Sequence, residues 1–304
     1  MVKRIGHYLA WVYMLLLPVV QAGQINWQSG FNQNNVRSNG APMNAQMVFE
    51  LGVFAPGFTP TVKNISQWAA KWYRASLAFY NPEMRFFTGA FPVTSNALPF
   101  AAGTKGYIWG HNGACTGGEW ILMSASGWLW PSQNPFELAV NWTAGSAAES
   151  VVGQVNGSGF QMKTAAVSGP LPLTSWLDWQ SRIFSASQLA NPAVSGPQAD
   201  PDADGVVNLA EYALGGHPLI AGGSHGRVTP GWITHTGRPR LTMTVTKRCD
   251  RVLNWGGEAS LDLDEWPAGG AVVVSETAEQ LVVREDLTNA GSARCFLRPF
   301  FSLP

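Results

Sequence analysis

The sequence contains little charge. Charged residues make up 12% of its 304 residues, about half of the usual share of roughly 25%. Lys plus Arg equals Asp plus Glu at 19 each, and no basic stripe interrupts the chain that would attract a phosphate backbone over a long range. This composition is that of a globular protein and argues against nucleic acid as a partner.

Cysteine is also scarce. Three Cys in a chain of this length exclude a scaffold built on disulfides, and the odd number leaves at least one thiol unpaired within the chain. Cys249 and Cys295 both fall in the C-terminal β region, so we expect either a bond between them or two separately buried thiols. In both cases the thiol of Cys115 stays free.

Recognisable catalytic motifs are missing. The sequence has no nucleophile elbow and no zinc-binding helix. The best candidates are His111 with Cys115, which lack a visible third residue to orient them, or Glu119 beside Trp120. A pair of carboxylates for glycoside hydrolysis could also be drawn from Glu50, Glu83, Glu119 and Glu137. A β-sandwich contains such carboxylate pairs by chance. We therefore expect no enzyme, and a secreted hydrolase ranks third among the functions considered.

The first residues have the pattern of a secretory signal. Lys3 and Arg4 precede an apolar run at residues 9–20, and the sequence Val-Gln-Ala at residues 20–22 suits a signal peptidase. The run is about a dozen residues long, whereas a spanning helix needs roughly 20. We expect cleavage after Ala22 and a mature chain without a transmembrane segment. The protein is then secreted or at the cell surface, in an extracellular or periplasmic compartment.

Frequent turns predict a mostly β fold. Gly (33) and Pro (20) are spread through the chain between short apolar runs. We divide the chain into a signal peptide (1–22), an N-terminal β-sandwich domain (23–167), a linker with a helix–calcium loop–helix clasp (168–219) and a small antiparallel β-sandwich module (220–304).

Several elements can be placed within these divisions. Helical spacing of apolar residues predicts helices over 66–79, 176–189 and 209–214, and residues 222–231 are expected to be a flexible connector. Short apolar or alternating runs predict strands at 46–54, 107–109, 119–123, 151–155, 240–246, 259–264, 271–275, 280–284 and 294–301.

Tryptophan is abundant, with 14 in the chain. Large aromatic side chains serve either as the core of a sandwich or as flat platforms for sugar rings. Five Trp of the N-terminal domain between residues 109 and 142 bear on this choice, and we expect most of these five to pack between its sheets. A carbohydrate-binding, lectin-like protein remains the alternative function, and it depends on Trp109, Trp120, Trp128, Trp130 and Trp142.

The strongest motif is the acidic segment DPDADGVVNLAE at residues 200–211. Ca²⁺ prefers six to eight oxygen ligands, and an EF-hand-type loop supplies them from alternate positions around a sharp turn at its sixth residue, here Gly205. The expected ligands are the side chains of Asp200, Asp202, Asp204, Asn208 and Glu211 and the backbone carbonyl of Val206. Asn208 binds directly or through a water.

A simpler interpretation covers part of the motif. Asn208 followed three residues later by Glu211 is also a capping box for the next helix. That interpretation does not explain three carboxylates at alternate positions, whose repulsion needs a cation.

Residues 184–218 resemble a segment near the C-terminus of many large secreted proteins of verrucomicrobia and related bacteria. There, DPDGDG is followed by NLLEYALG and a terminal proline, and a small β module ends the chain. The loop alone is also similar to dockerin and thrombospondin type 3 calcium repeats, although Ala203 stands where Gly is common and only one loop is present. The resemblance implies a calcium-dependent, extracellular and non-catalytic tail. We expect a surface or extracellular-matrix protein, with surface polysaccharide or matrix proteins as possible partners.

Overall fold

The computed structural model describes residues 23–134, 136–222, 228–287 and 294–304. Strands account for 40% and helices for 13%, which confirms the mostly β fold predicted from the turn-rich composition. The expected signal peptide at residues 1–22 lies outside the described residues. None of the helices in the described part is long and apolar enough to cross a membrane.

Short strands fill residues 23–167. They are β1 Gln24–Gln28, β2 Asn35–Val36, β3 Val48–Phe54, β4 Trp72–Phe79, β5 Thr88–Pro92, β6 Tyr107–His111, β7 Gly118–Ser124, β8 Val140–Thr143, β9 Glu149–Val152, β10 Gln154–Gly157, β11 Phe160–Lys163 and β12 Ala165–Val167. A central sheet has the order β12-β7-β6-β3-β4, with β9 also paired to β7. Two three-stranded sheets have the orders β5-β1-β8 and β10-β11-β2.

Both faces of the central sheet are buried. All seven residues of β3 are buried, and alternate residues of the sheet face opposite sides. Phe49 and Ile108 belong to the core shared with β1 and β8, whereas Trp109 and Trp120 belong to a second core on the other face, together with Trp68. The expected burial of these Trp side chains is confirmed, but Trp109 and Trp120 pack against Trp68 and Leu171, which belong to no sheet, and not between two sheets.

The helix predicted over 66–79 is wrong. A 3₁₀ helix spans Val62–Gln67 and one helical turn, α1, spans Trp68–Lys71, after which the chain continues as β4. Antiparallel pairing with β3, which includes a bulge between Leu51 and Gly52, overrides the local helical spacing. Gly52 permits this approach, since a Cβ there would lie 2.3 Å from the Tyr73 carbonyl oxygen.

The segment that follows contains four short helices instead of two. They are α2 Trp176–Ile183, α3 Ala186–Leu189, α4 Pro192–Ser195 and α5 Asn208–Leu214. The single helix predicted over 176–189 breaks at Phe184, which is extended (φ −92°, ψ 138°). The Ser185 hydroxyl then accepts a hydrogen bond from Gln188 N and caps α3. The helix predicted at 209–214 is confirmed, and it ends at Gly215 with φ 87°.

The C-terminal residues form a small antiparallel sandwich, as predicted. Its strands are β13 Val228–His235, β14 Arg238–Thr246, β15 Asn254–Ser260, β16 Ala271–Glu276, β17 Gln280–Glu285 and β18 Phe296–Ser302. The sheet β13-β14-β17-β16 faces the pair β15-β18, and Met243, Val245, Leu281 and Val283 fill the core with Ala213 and Leu214 of α5.

Two boundaries in this module differ from expectation. β13 begins inside the predicted connector at 222–231. It pairs with β14 through a tight turn at Thr236 and Gly237, whose φ angles of 50° and 75° suit a two-residue hairpin. The strand predicted at 259–264 runs over Asn254–Ser260 instead, because residues 261–264 form a bend.

The expected bond between Cys249 and Cys295 is wrong. Cys249 is bonded to Cys115, with a Cα–Cα distance of 6.1 Å, and Cys295 is the free thiol. The backbone N–H of Cys249 also donates to the Gly113 carbonyl at 3.0 Å. The chain leaving β14 therefore crosses to the N-terminal domain, away from β18, and the bond joins the two β domains covalently.

Candidate metal centre

The three aspartates of the acidic loop converge. Asp200, Asp202 and Asp204 each offer a carboxylate oxygen, and these oxygens all lie within 4.8 Å of one another. Backbone N–H groups hold the turn, since Gly205 N donates to Asp200 Oδ2 and Val206 N donates to Asp204 Oδ1, both at 2.9 Å. Folding of the loop thus brings the alternate positions inward, as the motif predicts.

Two of the aspartate oxygens have no protein partner. Asp200 Oδ1 and Asp202 Oδ2 are buried and accept no hydrogen bond from the described residues. A buried carboxylate oxygen without a donor is costly, and a bound cation removes this cost. The pKa of Asp202 is raised by burial and by the neighbouring Asp204 and Asp200 carboxylates.

Glu211 adds a fourth carboxylate from the first turn of α5. Its side chain is 0% exposed, although it is not part of the 4.8 Å group formed by the aspartates. Burial raises the pKa of Glu211 to about 8, and repulsion from Asp202, Asp204 and Asp200 adds to this effect. The carboxylates of the loop and of α5 are therefore close enough to repel one another, and together they produce a region of negative potential.

Left-handed backbone at two positions shapes the loop. Gly205 has φ 89°, as expected for the sixth residue of the motif, and Ala203 has φ 59°. A residue with a Cβ is strained in this region by about 1 kcal/mol or more. Position 203 therefore favours Gly for its backbone conformation, although its side chain is not an expected ligand.

Asn208 fastens the loop to the preceding helix. Its Nδ2 donates to the carbonyls of Val194 and Gly196, both at 2.8 Å, and its backbone N–H donates to Ala199. Only Oδ1 is left for a ligand, and this atom is buried without a hydrogen bond from the described residues. The capping-box alternative is wrong, because α5 begins at Asn208 and its N-cap, Val207, has no side-chain cap bond.

The donor set fits a hard cation. The carboxylates of Asp200, Asp202, Asp204 and Glu211 supply oxygen only, and Asn208 Oδ1 and the Val206 carbonyl are the remaining expected donors. Oxygen ligands of this kind suit Ca²⁺ and Mg²⁺ and not the metals that prefer nitrogen or sulfur. The buried aspartate oxygens without protein partners are consistent with a cation between them.

Tyr212, the residue after Glu211, connects α5 to its surroundings. Its hydroxyl donates to the Thr174 carbonyl at 2.6 Å and accepts from Val252 N at 3.2 Å. Its ring contacts the rings of Trp176 and Trp179. Through these contacts the proposed ligand helix is tied both to the linker and to the C-terminal module.

A buried ionic cluster lies at the junction next to α5. Asp250 is fully buried between Arg248 and Arg251, with N–O distances of 2.9 and 2.7 Å. Burial alone would raise the pKa of Asp250, but the two guanidinium groups hold it well below its usual range. Arg248 also donates to the Gln46 carbonyl at 2.9 Å. A Cβ at Gly113 would lie 2.3 Å from its guanidinium carbon.

This cluster was missed from the sequence. The segment Lys-Arg-Cys-Asp-Arg at residues 247–251 has charges of both signs, which are also typical of a solvated turn. The informative residue is Cys249, which lies between Arg248 and Asp250. Its bond to Cys115 places these charged residues next to the N-terminal domain.

The candidate catalytic pair is not formed. Cys115 is disulfide-bonded and offers no thiol. His111 is fully buried, with Nε2 3.4 Å from Glu50 Oε1, and Glu50 also accepts from Trp72 Nε1 at 2.6 Å. Glu119, another candidate, accepts hydrogen bonds from Ser38 and Thr164, which lower its pKa against the effect of burial. These side chains are occupied by structural contacts.

The tryptophans proposed as a sugar platform are buried. Their exposed fractions range from 0% to 4%, for Trp109, Trp120, Trp128, Trp130 and Trp142. The lectin-like alternative therefore cannot rest on these five side chains. Trp232 of β13 is 70% exposed but stands on the other domain.

The sequence matches no protein-family model, and a search of curated proteins finds no match either.

Proposed function

We propose that this chain is an exported, non-catalytic protein of the cell surface or extracellular matrix that binds one Ca²⁺ ion. Asp200, Asp202 and Asp204 hold the ion, Glu211 closes the site, and Asn208 and the Val206 carbonyl complete it. The observation that carries the proposal is the convergence of three aspartate carboxylates within 4.8 Å of one another next to the fully buried Glu211.

Calcium is favoured over magnesium by the number of carboxylates. Mg²⁺ keeps several of its waters and is bound through one or two carboxylates, whereas Ca²⁺ accepts six to eight ligands in flexible geometry. The four carboxylates on this loop and helix match the ligand number that Ca²⁺ accepts. Burial raises the pKa of Glu211 most and repulsion from the other carboxylates adds to it, and this repulsion is relieved when a divalent cation binds.

The role proposed for the ion is to brace the junction between the two β domains. Glu211 precedes Tyr212, whose backbone carbonyl accepts from Arg251 Nε at 2.8 Å. Arg251 shares Asp250 with Arg248, which reaches the N-terminal domain at Gln46. A cation that fixes α5 therefore acts on a chain of contacts that leads into both domains.

Export and the absence of catalysis have separate support. The disulfide between Cys115 and Cys249 is typical of an oxidising compartment outside the cytoplasm. The same bond removes the only candidate nucleophilic thiol next to a His. The resemblance of residues 184–218 to the calcium-loop segments of large secreted bacterial proteins favours the same function.

The proposal is tested by melting the purified chain of residues 23–304 with calcium and with chelator. If the dissociation constant is about 10 μM and calcium is about 1 mM, binding to the folded state alone adds roughly 2.7 kcal/mol. Chelation should then lower the melting temperature by several degrees. Glu211→Gln should remove most of this response, because it deletes a charge from the site.

Asp264→Asn is the matched control. It removes one negative charge from an exposed bend outside the candidate site, so its calcium response should equal that of the unmodified chain. A melting temperature that is the same with calcium and with chelator would contradict the proposal. Detection of the protein in culture medium or a surface fraction tests the location, and confinement to the cytoplasm would contradict it.

A further inference from the structure

A polar cleft lies on the surface of the N-terminal domain. A cleft of about 380 Å³ opens where the β10–β11 hairpin meets β2 and the loop before it. Its volume is within the range of small-molecule sites, about 300–1,000 Å³. The cleft is lined by primary amides, two glycines and one aromatic ring, from Gln33, Asn34, Asn156, Gly157, Gly159, Phe160 and Gln161.

None of the lining residues is ionisable. A charged ligand, such as a phosphate, a carboxylate or a metal ion, would find no counter-charge among these side chains and would lose hydration on binding. Amides, by contrast, donate and accept hydrogen bonds without charge. The cleft therefore suits a neutral ligand with many hydroxyl groups.

Three of the four amides are anchored through one atom each. Gln161 Oε1 accepts from Gly30 N at 2.8 Å, and Asn34 Nδ2 donates to the Gly159 carbonyl. Asn156 Nδ2 donates to the carbonyls of Ala144 and Ala147 at 3.1 and 2.9 Å. Gln161 Nε2, Asn34 Oδ1 and Asn156 Oδ1 make no hydrogen bond with the described residues. One donor and two acceptors thus remain on anchored side chains.

The aromatic ring packs closely on the hairpin. A Cβ at Gly157 would lie 2.3 Å from the Phe160 ring, so glycine lets this ring pack against the end of the hairpin. The side chain of Phe160 is half-buried. An aromatic ring next to amide donors and acceptors matches the two kinds of surface on a sugar, its C–H face and its hydroxyl groups.

We propose that this amide-lined cleft binds a neutral oligosaccharide. A polar peptide would also meet the amides, but the cleft offers no apolar pocket for side-chain anchors and only one ring. The proposal does not rest on the calcium loop, which lies at residues 200–211 and contributes nothing to the lining. Calcium binding and sugar binding can therefore fail independently.

The test is an NMR titration of residues 23–304 with hexasaccharides of cellulose, xylan, mannan and chitin, in calcium and in chelator. We expect at least one of them to shift signals of residues 33–34 and 156–161, with equal affinity under both conditions. Phe160→Ala should weaken that binding by about five-fold, the order expected for losing an aromatic contact. Gln33→Ala should weaken it too, and it costs the fold only one long hydrogen bond, 3.4 Å to the Phe31 carbonyl.

Phe31→Ala is the control, because Phe31 is 65% exposed and does not line the cleft. Its affinity should equal that of the unmodified chain. The proposal is overturned if none of the four hexasaccharides shifts these signals. It is also overturned if both Phe160→Ala and Gln33→Ala bind as well as the unmodified chain, or if a neutral peptide shifts the signals and the sugars do not.

Discussion

Removal of the disulfide between Cys115 and Cys249 should destabilise the chain substantially. The two residues are separated by 134 positions, so the bond closes a large loop in the unfolded chain. The entropy that this closure removes from the unfolded state corresponds to about 5 kcal/mol at 25 °C. Since engineered and natural disulfides often contribute less than this estimate, we expect a loss of about 3–5 kcal/mol.

The remaining contacts between the domains do not replace this effect. The Cys249 N–H bond to Gly113 and the Arg248 bond to Gln46 exist only in the folded state, whereas the disulfide acts on the unfolded chain. The two terms are separate. Replacing both Cys by Ala removes the effect of the disulfide on the unfolded chain and leaves the two hydrogen bonds between the domains in place.

The assay is urea unfolding of the Cys115→Ala, Cys249→Ala double variant beside the unmodified chain. Cys295→Ala is the control, because Cys295 is a half-buried free thiol and its loss leaves the crosslink intact. A double variant within about 1 kcal/mol of the unmodified chain would refute the reasoning. Thiol counting on the unfolded, unreduced protein should give one thiol, and three would refute the bond itself.

Four further outcomes follow from the same structure. Ala203→Gly should stabilise the calcium-loaded chain by about 0.5–1 kcal/mol in urea unfolding, because it relieves a left-handed Cβ, and destabilisation would contradict this. In chelator, Asn208→Ala should cost about 2 kcal/mol in urea unfolding, since it removes two buried hydrogen bonds, and a neutral effect would contradict this. Asp250→Asn should cost about 3–5 kcal/mol by leaving Arg248 and Arg251 buried beside a neutral side chain, which thermal or urea unfolding checks. In chelator, unfolding free energy should fall as pH rises from about 5 to 8, because folded Glu211 keeps a proton that the unfolded chain releases; with calcium bound this fall should be absent.

The acidic loop was predictable because its information is local. Ligand positions in a calcium loop depend on spacing along a dozen residues, and Asp200, Asp202 and Asp204 converge as that spacing requires. The second role of Asn208, whose amide bonds Val194 and Gly196, could not be predicted in the same way. It depends on how α4 folds back towards α5.

Long-range contacts account for most of the differences from expectation. The spacing of apolar residues over 66–79 predicts a helix that includes β4. Pairing with β3 makes β4 a strand instead. Sequence position placed Cys249 beside Cys295 in one module, whereas its partner lies 134 residues earlier. Sequence alone contains no distance between such positions.

The burial of charged side chains could not be predicted from the sequence either. Glu50 lies within a run that predicts a strand and His111 follows another such run, and nothing local shows that both side chains are fully buried in contact with each other. Arg248, Asp250 and Arg251 pair with one another locally, but their contacts with Gln46 and Tyr212 depend on the tertiary fold.

The central claim is that the loop at residues 200–211 binds one calcium ion, and elemental analysis tests it most directly. The purified chain of residues 23–304 is dialysed against micromolar calcium and its metal content is measured per mole of protein. We expect one calcium per chain, and much less than one in Glu211→Gln, while Asp264→Asn retains one. Calcium absent from the unmodified chain, or unchanged in Glu211→Gln, would contradict the account.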